Sequence, residues 1–168
     1  MVRGQRSWPA VPKTKVTVPP RPHGLISHDR LGSLLPDASG AHGDPPPQVT
    51  LVCAPAGYGK TTLVSWWASR HHDDPDAEPV AWADLDADDN TPFTLWSTVL
   101  AAMAESGVEL PALHRLRAPH NGAGPRFLAS FVDLVHQLPR HQHIKVRCGQ
   151  LNIVVGQHLG RFVPVESE

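Results

Sequence analysis

Ala54-Pro55-Ala56-Gly57-Tyr58-Gly59-Lys60-Thr61 is the stretch from which the rest of the chain is most easily read. The apolar, β-branched run Val49-Thr50-Leu51-Val52-Cys53 precedes it, and Leu63, Trp66 and Trp67 follow at helical spacing. Strand, glycine-rich loop, then Lys-Thr at a helix start is the arrangement of a phosphate-binding P-loop. Main-chain N–H groups in such a loop form an anion nest, and the positive end of the next helix adds to it. Lys60 is placed to reach the β- and γ-phosphates of a nucleoside triphosphate, and the Thr61 hydroxyl to sit on magnesium. Gly57 and Gly59 leave the main chain free of Cβ atoms where the phosphates approach. The first position is Ala54 rather than Gly, a relaxation that the pattern tolerates. A helix over residues 61–70 then lays Leu63, Trp66 and Trp67 against a sheet, and packing explains the Trp pair better than base stacking.

Working outward, residues 1–22 form a proline-rich stretch expected to be a flexible, partly extended arm, for nine of the eighteen prolines lie in the first fifty residues. Leu25, Ile26, Leu31, Leu34 and Leu35 predict a short helix starting near Ser27 or Asp29, and the polar segment 37–47 links it to the P-loop strand. Downstream, Val80-Ala81-Trp82-Ala83-Asp84-Leu85 reads as a second, half-buried strand, and residues 86–90 as an acidic loop. Thr91-Pro92 is an N-cap with proline at the first helical position, and Phe93, Trp96, Leu100 and Met103 mark the apolar face of a helix ending near Gly107. Gly124-Pro125 opens another helix, with Phe127, Phe131, Leu134 and Leu138 on its apolar face. The alternation predicts an α/β fold: a P-loop NTPase-like parallel sheet flanked by helices.

Composition narrows the classes. A chain of 168 residues with 40% hydrophobic content suits one soluble domain. No apolar run of bilayer length occurs, and no apolar leader follows Arg3 and Arg6. Two cysteines, Cys53 and Cys148, do not make a disulfide framework, so a cytoplasmic location is expected, with Cys53 a buried small side chain. A net charge of −1, without a basic stripe or a placeable helix-turn-helix, argues against direct DNA binding. The eleven histidines include His71-His72-Asp73 and His141-Gln142-His143 with Cys148, but these spacings match no zinc pattern.

Taken in order, P-P-R-P, L-I-S-H-D-R-L, A-P-A-G-Y-G-K-T-T-L-V-S-W-W and V-A-W-A-D-L-D-A-D-D-N-T-P resemble the N-terminal ATPase region of the large MalT-type LuxR-group transcriptional activators, which are signal-transducing NTPases with numerous domains (STAND). The resemblance covers roughly residues 13–138. It implies an ATP-dependent switch using ATP and Mg2+, with Ala54, Pro55, Ala56, Gly57, Tyr58, Gly59, Lys60, Thr61 and Thr62 at the nucleotide and Thr61 on the metal. It also implies self-association or association with a full-length regulator.

The chain departs from that pattern in places. His28 stands where the family has arginine, and the sensor, repeat and DNA-binding domains of the family are not expected within these 168 residues. After Leu138 the family carries an apolar strand ending in paired aspartates, the Walker B element that holds magnesium and aims the attacking water. Here Ile144–Cys148 and Leu151–Val155 read as strands, yet no carboxylate occurs between Asp133 and Glu166. The expected division is therefore an arm over 1–22, a partial P-loop NTPase domain over 23–138, and a tail over 139–168 outside the family pattern, as in a truncated or frame-disrupted product. Asp84, Asp86, Asp88 and Asp89 are the clustered carboxylates that remain. Asp86 is their candidate for catalysis, against the plainer reading of a solvated, helix-capping loop. Binding without efficient turnover is the expectation. A small P-loop kinase or phosphotransferase is the alternative, with Arg115, Arg117 and Arg126 as candidate lid residues.

Overall fold

The computed structural model describes residues 9–20, 29–32, 35, 49–73, 80–107, 111–137, 143–148 and 151–155. Four strands, β1 (Val49–Cys53), β2 (Val80–Leu85), β3 (His143–Cys148) and β4 (Leu151–Val155), form one sheet in the order β1-β4-β3-β2. β2 and β3 are parallel, whereas β4 is antiparallel to both β3 and β1. The sheet is thus mixed, not wholly parallel. Only two residues separate β3 from β4, too few for a crossover, so the pair has to be antiparallel. It follows that β1, β2 and β3 all run in one direction, and their carboxyl ends share one edge of the sheet. The tail expected to depart from the family pattern holds the two short strands read from its sequence, and both join this sheet.

The helices are α1 (Lys13–Val16), α2 (Asp29–Gly32), α3 (Lys60–Asp73), α4 (Pro92–Glu105) and α5 (Pro125–His136). Two cores flank β2, because successive side chains of a strand point to opposite faces. On one face Ala81 and Ala83 meet Val99, Leu100, Met103, Leu113 and Leu134. Trp82, on the other, packs with Leu35, Val64, Trp67 and Ala68, so the Trp66-Trp67 pair is a packing element. Trp66 is half-buried beneath the Arg70 guanidinium, 5.1 Å from the ring. β2 is therefore covered on both faces, not half-buried as its sequence suggested.

α4 follows its sequence pattern closely. Thr91 caps it by accepting the N–H of Thr94, Pro92 opens its first turn, and Gly107 just beyond its end has φ +83. Along α5, Phe127 and Phe131 turn edge-on to Trp96, with ring centroids 4.8 and 4.9 Å away, while Leu134 is buried. Leu138 lies outside the described residues, as do residues 25–28, 33 and 34 of the expected leucine-rich helix, of which α2 is the described part.

Part of the expected arm is docked. Val16 of α1 is buried, and Val11 packs beside it on the α4 side of the sheet. Cys53 is exposed, contrary to expectation. Among the described residues β1 has α3 on one face only, so Val52 is half-buried while its neighbours Leu51 and Cys53 are exposed. Among the described residues no helix is long and apolar enough to cross a membrane.

Candidate functional site: the loop between β1 and α3

β1 ends at Cys53 and α3 begins at Lys60, so Ala54–Gly59 span the strand-to-helix connection that the sequence pattern required. The loop is tight. The Tyr58 N–H donates to the Pro55 carbonyl at 3.4 Å, and the Leu63 N–H donates to Gly59 O at 2.8 Å as the helix starts. Gly57 and Gly59 adopt φ +82 and +74, the left-handed region that side-chain-bearing residues rarely enter. A Cβ at either glycine would meet no protein atom within 4 Å. Their necessity in this fold is conformational, and the space in front of them is open.

Lys60 behaves differently from an ordinary surface lysine. It is 9% exposed, and its ammonium is drawn back over the loop, donating to Ala54 O at 2.7 Å and to Pro55 O at 2.8 Å. The loop thus closes on its own cation. Ala56, Gly57, Tyr58 and Gly59 are exposed, Tyr58 most of all at 75%. Thr61 and Thr62 are half-buried in the first turn of α3, which carries no acidic side chain to occupy its positive end. All nine residues named from the sequence, Ala54 to Thr62, fall in this one loop and helix start. A triphosphate fits its chemistry: main-chain donors at a helix N-terminus, one ammonium and the Thr61 hydroxyl beside it for Mg2+.

The acidic loop has other work. It leaves the carboxyl end of β2, on the same edge of the sheet as the loop after β1. Three inter-strand spacings separate the two, about 14 Å. Asp86 caps a 3-10 turn over Ala87–Asp89, accepting the N–H of Asp88 at 2.9 Å, while Asp89 accepts the N–H of Asp86 at 3.0 Å. Asp89 is buried and also accepts the hydroxyl of Thr98 at 3.0 Å. Lys15 closes the group, 2.9 Å from Asp86 Oδ1 and 2.7 Å from Asp89 Oδ2. Lys15, with the Asp88 N–H, holds the Asp86 carboxyl below its usual range, and hydrogen bonding to Asp89 raises the Lys15 ammonium above its own. The loop is consequently a hydrogen-bonded hub, and only Asp86, Ala87, Asp88 and Asn90 of it are exposed. No local signal in the sequence could have named Lys15. Beside the hub, a cleft of about 360 Å³ is lined chiefly by Leu85, Asp89, Pro92, Leu95 and Trp96.

Arg115, Arg117 and Arg126 are solvent-exposed, in or after a 3-10 turn over Leu113–Arg115 and in the first turn of α5. The described residues contain no group of three or more potential metal ligands. The side chains of His71, His72, Asp73, His143 and Cys148, and all of His141 and Gln142, lie outside what is described.

Against known proteins, the chain is 36% identical over 90 residues to the HTH-type transcriptional regulator MalT of Serratia proteamaculans, covering 54% of this chain and 9% of the relative. It is 32% identical over 93 residues to the MalT of Cronobacter sakazakii, covering 55% of this chain and 9% of that protein. Over 132 residues it is 32% identical to the serine/threonine-protein kinase PknK of Mycobacterium tuberculosis, covering 77% of this chain and 11% of that protein. The chain therefore spans about a tenth of the length of these curated relatives. No family model and no solved structure matches it.

Proposed function

We propose that this chain is a nucleotide-binding module of a MalT-type LuxR-group regulator, a P-loop of the STAND kind that takes ATP with Mg2+ in the cytoplasm and acts as a switch through association with regulator chains. The observation that carries the reading is the loop itself. Two glycines with positive φ and a lysine folded over the loop carbonyls stand between a strand end and a helix start. Similarity to two MalT regulators supports the transcriptional half of the reading. In it, Ala54–Gly59 hold the phosphates with main-chain donors, Lys60 neutralises them, and Thr61 and Thr62 complete the helix start. Bound Mg2+ would offset phosphate charge beside the Thr61 hydroxyl.

The reading is one of binding with little turnover. β4, the strand beside β1, runs antiparallel to it and sets Leu151 at the loop's edge of the sheet, and β3 ends there in Cys148, so neither brings a carboxylate to the loop. Asp86 and Asp89 are about three strand spacings away and are engaged by Lys15. Calorimetric titration of the purified chain with Mg·ATP tests the proposal, with Lys60→Ala as the comparison. Saturable binding that the variant weakens is expected. Equal affinity in both proteins would remove the basis of the reading. Phosphate release measured with and without acceptor alcohols separates a switch from a small phosphotransferase, and only slow release is expected.

A further inference from the structure

Residues 11–18 take an unusual path, one independent of the nucleotide reading. Val16 is buried with Ala81 and Ala83 on the α4 side of β2, and Val11 packs beside it. Val18, two residues on, packs with Trp67, Trp82 and Val80 on the opposite side. Between them Thr17 is extended, with φ −120 and ψ 137. β2 is an edge strand, paired to β3 alone among the described residues. A chain that reaches both faces of such a strand within two residues passes around its unpaired side. Lys15 then fastens the segment to the hub at the carboxyl end of β2 through Asp86 and Asp89.

We infer that residues 11–18 are a strap, keyed by Lys15, that masks the free edge of β2 and so keeps a second copy of this chain from pairing with it. Edge strands are templates for further strands unless something covers them. β2 suits self-pairing once uncovered. An antiparallel pair centred between Trp82 and Ala83 sets Asp84 opposite Ala81, so no like charges face each other across the two-fold axis.

The test compares the whole chain with Lys15→Ala, Asp86→Asn and, as control, Lys13→Ala, since Lys13 is exposed and outside the ion pair. Thermolysin cleavage within residues 9–20 reports strap release, and light scattering during gel filtration reports association. Lys15→Ala is expected to be cleaved at least tenfold faster and to form dimers with rising concentration, while Lys13→Ala matches the parent. Asp86→Asn leaves Lys15 on Asp89 and is expected to shift both readouts less, in the same direction. It decides the matter if Lys15→Ala loses its circular-dichroism signal. Parental cleavage rates in both variants would overturn the strap. Faster cleavage with the protein still monomeric, or growth beyond a dimer, would overturn the masked two-fold edge.

Discussion

Two loops leave the same edge of one sheet, and each runs into a helix of 14 residues, α3 after β1 and α4 after β2. The loop after β2 provides for itself. Asp86, Asp89, Thr91 and Thr94 supply side-chain acceptors to its N–H groups, and Pro92 removes one donor from the helix start. The loop after β1 does the reverse: Gly59 precedes the helix with no side chain to cap it, and the first turn of α3 holds no acid. One helix start is completed by its own acids and caps, whereas the other carries no acid of its own and, in the proposed function, takes its negative charge from a bound nucleotide. Acidic residues close to a phosphate loop in sequence are thus not automatically its catalytic partners.

The harshest trial of this contrast is at Trp82, which ties α3 to the sheet and is 1% exposed. Trp82→Ala should cost about 3–5 kcal/mol of folding stability, read by urea denaturation. ATP binding should fall with it, because the helix that completes the phosphate loop loses its seat. Next in size is Lys60→Ala. Loss of one charge-assisted contact predicts about 10- to 100-fold weaker ATP binding by calorimetry. Thr91→Ala should take about 1 kcal/mol from stability through the lost cap and leave ATP affinity at the parental value. A clear fall in affinity would mean that the two loops act as one site.

The smallest effect is a pH dependence confined to the hub. The folded-state pKa of Asp86 is lowered, so its contribution is present above the ordinary carboxylate pKa and is lost as pH falls through the folded value. That of Lys15 is raised, so its contribution is full below the ordinary lysine pKa and is lost as pH rises through its folded value. The difference in melting temperature between the parent and Lys15→Ala should therefore be flat from about pH 5 to pH 9 and narrow below about pH 4. A difference that persisted unchanged at low pH would refute the ion-pair account.

Much of the candidate site was legible in the sequence because its determinants are local. A β-branched run, glycines at fixed offsets and Lys-Thr before an apolar stripe all lie within two dozen residues, and β1, the loop and α3 follow them. Thr91-Pro92 announced α4 for the same reason. Sheet order was not legible, since β4 lying between β1 and β3 depends on pairings across about a hundred residues. The exposure of Cys53 was missed because a strand pattern says which residues alternate, and not whether an element covers each face. Lys15 sits among prolines and threonine with nothing to mark it, and its partner Asp89 is 74 positions away.

The folded-back Lys60 has a kinetic consequence. Its ammonium already has two oxygen partners, so a triphosphate bound as proposed would meet an internal competitor for that charge. Under the proposed ATP-binding role, capture would take two stages, a loose encounter at the outer amides followed by exchange of the lysine from carbonyl to phosphate. Rapid-mixing traces should level off at high ATP, at the rate with which that side chain lets go.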